Sequence, residues 1–201
     1  YQNQNGKSAC TYCIAGKYQD QFKSLSCKFC QEGRYTSGTK QIACKNDCAA
    51  GSYITFDKGA CKHCPVGYWQ DQAGFLAVFN DQVFKKIGCK FCIKGKYNDQ
   101  VGKKIDACQS CAVGKYNNEF GGGTELSCRS NCGAGSHINA DQSDCLECPK
   151  GYWQDTAQQT DCNSCGIGTY NDQLEQKSLN DCKYCVAGQY QNEAAKDGCK
   201  S

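Results

Sequence analysis

Large apolar and aromatic side chains stand singly along this chain, without the runs or 3.6-residue stripes that build buried strands and amphipathic helices. Aromatics recur at Tyr18, Tyr35, Tyr53, Trp69, Tyr97, Tyr116, Trp153, Tyr170 and Tyr190, and His137 fills the remaining slot. Two residues before each comes a glycine: Gly16, Gly33, Gly51, Gly67, Gly95, Gly114, Gly135, Gly151, Gly168 and Gly188. A polar stretch such as Asn98-Asp99-Gln100-Val101-Gly102 follows. This pattern predicts a short extended stretch, a turn and a return in every repeat, hence small two-stranded hairpins and irregular loops with almost no helix. The glycine is expected to supply an unusual backbone angle or room for close approach. The aromatic is expected to pack as the miniature core of its repeat.

One stretch breaks the pattern. Phe75, Leu76, Val78, Phe79, Val83, Phe84 and Ile87 gather in an insertion spanning Phe75–Ile87, within which Leu76, Phe79, Val83 and Ile87 follow helical spacing. An apolar segment on so polar a chain must be buried, over a neighbouring repeat or in another molecule, which makes it the candidate interaction patch.

Leu, Ile, Val and Phe make up only about 14% of the chain, too little for an ordinary core. Cysteine supplies the alternative: 21 of 201 residues is the density of a disulfide scaffold, and closing a loop of about 15 residues restricts the unfolded chain by roughly 3 kcal/mol. The cysteines fall in pairs ahead of each glycine: Cys10/Cys13, Cys27/Cys30, Cys44/Cys48, Cys61/Cys64, Cys89/Cys92, Cys108/Cys111, Cys128/Cys132, Cys145/Cys148, Cys162/Cys165 and Cys182/Cys185. Bridges on this scale belong to an oxidising compartment, so a secreted or extracellular cell-surface location is expected.

Cys44/Cys48 and Cys128/Cys132 carry an extra residue, and each precedes a unit of the same wording, Cys64-Pro65-Val66-Gly67-Tyr68-Trp69 and Cys148-Pro149-Lys150-Gly151-Tyr152-Trp153. A four-unit super-repeat is therefore laid over the short one: a partial repeat at 1–9, super-repeats at 10–88 and 89–161, and a partial one at 162–201. Repeats of this kind contact mainly their neighbours, so an elongated rod is expected. Tyr1 precedes Cys10 as Tyr190 precedes Cys199, and Cys199 opens a further pair. The array is thus expected to continue past both ends, in a longer chain or in another subunit, with Cys10 left unpaired within this segment.

Rival chemistries are weak. Paired cysteines are also the arithmetic of zinc sites, but an even array does not divide into four-ligand clusters. His63 lies inside a cysteine pair and His137 in an aromatic slot, and no nucleophile elbow, phosphate loop or metal-binding His/Glu motif accompanies them. No enzyme activity, metal or cofactor is expected. Asp20, Asp71, Asp99 and Asp172 occupy turn positions without enough neighbouring oxygens for calcium. The net charge of +3 is scattered, which argues against nucleic acid, and no run is long and apolar enough to insert in a membrane. No Asn-x-Ser/Thr acceptor is present, whereas Ser and Thr can carry O-linked sugar.

The unit Cys-x2-Cys-x2-Gly-x-Tyr, first met at Cys10–Tyr18, resembles the ephrin-receptor-like cysteine-rich repeat of the broad growth-factor-receptor and tumour-necrosis-factor-receptor-like group. The resemblance implies small disulfide-rich repeats, as in extracellular surface or fibre proteins of single-celled eukaryotes. Two pairings fit the spacing. The serial one joins Cys13–Cys27, Cys30–Cys44, Cys48–Cys61, Cys64–Cys89, Cys92–Cys108, Cys111–Cys128, Cys132–Cys145, Cys148–Cys162, Cys165–Cys182 and Cys185–Cys199, and is favoured because every loop then closes one glycine-aromatic unit. The crossed one joins Cys10 to Cys27 and Cys13 to Cys30, and so on. The expected function is an extracellular structural protein, a stalk, filament or surface coat built by end-to-end or lateral self-association as a homo-oligomer. The alternative is a receptor-like ectodomain that binds a protein or glycan ligand.

Overall fold

The computed structural model describes residues 11–46, 48–76, 78–80 and 85–201, and Cys10 lies outside them. Two compact units are formed, one from the described residues up to Cys92 together with Asn98–Ala107, the other from Ile93–Tyr97 together with Cys108–Ser201.

Both are built from the same small element. In the first unit, antiparallel pairs form between Lys17–Tyr18 and Lys28–Phe29, Arg34–Tyr35 and Lys45–Asn46, Ser52–Ile54 and Cys61–His63, and Tyr68–Trp69 and Lys90–Phe91. In the second they join Lys96–Tyr97 to Gln109–Ser110, Ser136–Ile138 to Cys145–Glu147, Tyr152–Trp153 to Asn163–Ser164, and Thr169–Tyr170 to Lys183–Tyr184. Each strand is only two or three residues long, because the disulfide that ends a repeat, and not the ladder, holds its two arms together. The only helical turns among the described residues are 3-10 segments, Glu125–Ser127 and Leu179–Asp181. They take up the slack in the two loops closed at a separation of 17 residues, where most bridges close 13 or 14.

The described residues of the insertion are not helical, while Val83 and Phe84 of the expected interaction patch lie outside the described residues. Val78–Asn80 pairs antiparallel with Lys85–Ile87, an extra hairpin between Tyr68–Trp69 and their partner strand. β-Branched Val and Ile with aromatic Phe favour the pleated conformation, and a segment this short is below the length at which helical periodicity sustains itself. Phe75 and Leu76 lie outside this hairpin: the Phe75 carbonyl accepts the Ile54 N–H at 2.8 Å, and Leu76 bridges Ile54.

Successive repeats are joined by a recurring set of backbone bonds. The N–H groups of Gly16, Gly51, Gly67, Gly95, Gly135, Gly151 and Gly168 donate to the carbonyl of the residue after the next aromatic, as in Gly51 to Gln70 (2.7 Å) and Gly151 to Asn171 (2.8 Å). The carbonyls of the same seven glycines accept from the second cysteine of the next pair, as in Cys64 to Gly51 and Cys165 to Gly151. Gly95 shows why the side chain must be absent: φ is +78°, and a Cβ would lie 2.1 Å from the Asp141 carbonyl oxygen, which belongs to the turn two repeats further on.

Candidate functional site

The bridges run in series: Cys13–Cys27, Cys30–Cys44, Cys48–Cys61, Cys64–Cys89, Cys111–Cys128, Cys132–Cys145, Cys148–Cys162, Cys165–Cys182 and Cys185–Cys199. Cys92 and Cys108 are disulfide-bonded as well. The second cysteine of every pair from Cys13 to Cys165 is buried, whereas Cys27, Cys44, Cys61, Cys145 and Cys162 are only half-buried, as are both Cys185 and Cys199. The bridges Cys13–Cys27, Cys30–Cys44, Cys48–Cys61, Cys132–Cys145 and Cys148–Cys162 therefore each have one sheltered and one more accessible sulfur.

The innermost side chain of a repeat is not its aromatic. Of the aromatic slots only Tyr116 is buried, and Tyr190 is 54% exposed. The residue that follows is buried instead: Thr36, Ile54, Gln70, Asn98, Asn117, Ile138, Gln154, Asn171 and Gln191, with Gln19 half-buried. An amide fits here because the site is walled by backbone, whose polar groups must be paired once water is gone. Each amide oxygen accepts the N–H two residues ahead, as Gln70 does from Gln72 and Asn171 from Gln173.

The amide nitrogens divide by reach. Gln70, Gln154 and Gln191 donate within their own loop to the carbonyl just before its closing cysteine, Gly88 (2.7 Å), Asp161 (2.8 Å) and Gly198 (2.7 Å). Gln19 does the same to Ser26. The shorter Asn98, Asn117 and Asn171 turn back to the previous repeat, to the carbonyls of Tyr68, Lys96 and Tyr152 at 2.9 to 3.1 Å. Asn117 and Asn171 head the two loops with 3-10 turns. Where the closing segment is displaced, the amide ties repeat to repeat instead. Turn chemistry alone hides this role, but a signal was there: the slot holds only uncharged residues throughout the chain.

A second position escapes sequence reasoning altogether. The tenth residue after each second cysteine has positive φ, in Lys23, Lys40, Lys58, Gly74, Gly102, Gly121, Gln142, Gln158, Glu175 and Ala195, though only three are glycine. At Lys40, Gly74, Gly102, Gln158, Glu175 and Ala195 the N–H reaches back to a cysteine carbonyl of the preceding repeat, Cys13, Cys48, Cys64, Cys132, Cys148 and Cys165, whereas Lys58 and Gln142 donate within their own turns to Thr55 and Asn139.

The aromatics carry a polar cover. Lys28, Lys90 and Lys183 stand cross-strand from Tyr18, Trp69 and Tyr170, and Lys90 lies 4.7 Å from the Trp69 ring. The same lysines pair with Asp20, Asp71 and Asp172 at 2.6 to 2.8 Å. Hydrogen bonds from these ammonium groups hold the three carboxyls below their ordinary value. The recurring turn aspartates are thus ion-pair partners in the structure, exposed and individually weak.

The histidines differ. His63 Nδ1 meets Ser52 Oγ at 2.9 Å across a hairpin. His137 Nδ1 lies 3.3 Å from Cys162 Sγ, and its ligand atoms and those of Cys148 and Cys162 lie within 4.8 Å of one another. The two sulfurs are bonded to each other, so they are not thiolates and do not constitute a metal site in this state. Among the described residues no helix is long and apolar enough to cross a membrane.

No curated protein matches the chain. Residues 135–182, from the glycine of one repeat to the closing cysteine two loops later, match the family model described as tyrosine-protein kinase ephrin type A/B receptor-like. With that match inside a run of serially bridged hairpins, the chain is a cysteine-rich repeat array carrying an ephrin type A/B receptor-like segment.

Proposed function

We propose that the chain is a non-catalytic extracellular structural protein, a disulfide-stapled rod that serves as a stalk, filament or surface coat and associates with further copies or repeats. The supporting observation is the regular clasp between repeats. The same glycine, amide and turn contacts recur along the array, an arrangement that carries length and stiffness. Disulfide density fits an oxidising exterior. The test is electron microscopy of the purified protein, with sedimentation at rising concentration. Particle length proportional to repeat number, with growth of end-to-end or lateral assemblies, is expected; compact monomers at every concentration overturn the reading.

A second reading, a receptor-like ectodomain, is favoured by one feature: the hairpin Val78–Asn80 with Lys85–Ile87, an addition that the corresponding repeat at Cys148 lacks. Removing residues 77–87 separates the two. Loss of a protein or glycan ligand from cell-surface extracts, with particle length unchanged, supports the receptor.

A further inference from the structure

One bridge is built differently from the rest. Cys162 and His137 face the same surface pocket, about 180 Å³, with Pro149, Tyr152 and Asp161 around it. Cys148, the partner sulfur, is fully buried. An incoming thiolate therefore meets Cys162 first, beside an imidazole nitrogen 3.3 Å from the sulfur. In the corresponding repeat the slot holds Tyr53, which packs on Cys64 and Cys89, both buried. Tyrosine there covers the bridge, whereas histidine offers it a hydrogen bond.

We propose that Cys148–Cys162 is a thiol-exchange site, in which Cys162 is the sulfur attacked, His137 is its hydrogen-bond partner, and the co-reactant is a small dithiol. In the first step one thiolate of the dithiol attacks Cys162 Sγ, the Cys148–Cys162 bond breaks, and its electron pair leaves on Cys148, which takes a proton. In the second, the other thiol of the reagent attacks the reagent's own sulfur in the mixed disulfide and expels Cys162 as a thiolate. His137 Nδ1–H donates to that thiolate. The dithiol is oxidised to its cyclic disulfide by two electrons, and the protein disulfide is reduced to two thiols. The Cys148 thiol released in the first step stays beside the mixed disulfide and can re-attack it, so opening is committed by the second step; stabilising Cys162 as it departs there speeds exchange, because a thiol of lower pKa leaves faster. Read backwards, the same contact makes Cys162 the reactive nucleophile when the bridge re-forms.

The experiment treats the oxidised protein with a limiting amount of dithiothreitol, quenches with N-ethylmaleimide, and maps labelled cysteines by mass spectrometry. A charge-assisted hydrogen bond to the leaving thiolate corresponds to opening on the order of tenfold faster. Label is therefore expected on Cys148 and Cys162 first, about tenfold ahead of Cys64 and Cys89. His137→Tyr, which copies the sister repeat, is expected to abolish that lead. Tyr53→His is expected to speed opening of Cys64–Cys89, and it decides the matter if the first variant fails to fold. Label spread evenly over the bridges, an unchanged order in His137→Tyr, or no gain in Tyr53→His overturns the proposal.

Discussion

Replacing Gly95 and Gly168 by alanine, one at a time, separates two costs that the repeat glycine carries together. Both glycines have left-handed backbone, φ +78° and +81°, so each alanine incurs the conformational penalty of about 1–2 kcal/mol. Only Gly95 is overhung. Its Cβ would stand 2.1 Å from the Asp141 carbonyl oxygen, while nothing lies within 4 Å of one at Gly168. Relieving the overlap at Gly95 means moving backbone, since the obstacle is no flexible side chain, and overpacking of this kind costs a further ~1–3 kcal/mol. Gly168→Ala is thus expected to lower stability by about 1–2 kcal/mol and Gly95→Ala by roughly 2–5 kcal/mol. Repeat arrays do not unfold as one two-state unit, so the assay is amide hydrogen exchange with disulfides intact. The Asn117 N–H, which donates to Gln142 in the overhanging turn at 2.9 Å, is expected to exchange on the order of tenfold faster in Gly95→Ala. Equal costs in the two variants, or an Asn117 amide no less protected in Gly95→Ala, would refute the claim that the turn two repeats away rests on this glycine.

Other outcomes are expected from the same contacts. Asn171→Ala leaves the Tyr152 carbonyl and the Gln173 N–H without the amide that pairs them and is expected to cost about 1–3 kcal/mol by denaturation with bridges intact. Ala195→Gly relieves a residue held at φ +59° and is expected to stabilise by roughly 0.5 kcal/mol after the added freedom of the unfolded chain is subtracted. Glu193, hydrogen-bonded by Lys196 and Lys200, has its carboxyl lowered to about 2. A depressed folded-state value means the contribution is present above the ordinary value near 4.5 and is lost as pH falls from there toward 2. Carboxyl NMR titration is expected to show that low midpoint, moving up in Lys200→Met and in 1 M salt; an unmoved midpoint rejects the ion pairs as its cause.

The architecture was legible because it is written in residues with few alternatives. Cysteine spacing gave the loops, glycine the special backbone, and the polar intervals the hairpins. What stayed hidden depended on three-dimensional reach. Whether an amide at position 70 or 98 is solvated turn or buried strut depends on the distance to a neighbouring carbonyl, and the choice between Gln and Asn becomes meaningful only once the loop lengths are laid in space. Positive φ at Lys23 or Glu175 leaves no trace in residue type, because position in the turn, not side-chain preference, imposes it. At the insertion, helical spacing of four apolar residues competed with β-branched propensity, and propensity prevailed in a segment too short to sustain a helix.

The same geometry explains why the aromatics can stay half-exposed without cost to the fold. A repeat with no space for a core has to be sealed by what lies at its centre, and that centre is backbone. Ile54 and Ile138 fill the slot with apolar bulk alone, their N–H groups bonded to the carbonyls of Phe75 and Gln159 just as those of Gln70 and Asn171 are bonded to Lys103 and Lys196. An amide elsewhere both fills it and pairs the groups around it. The aromatic then lies over the strand pair under a lysine and an aspartate, a lid and not a keystone. Truncating Trp69 is therefore expected to cost less than truncating its neighbour Gln70, the reverse of what side-chain size alone would suggest.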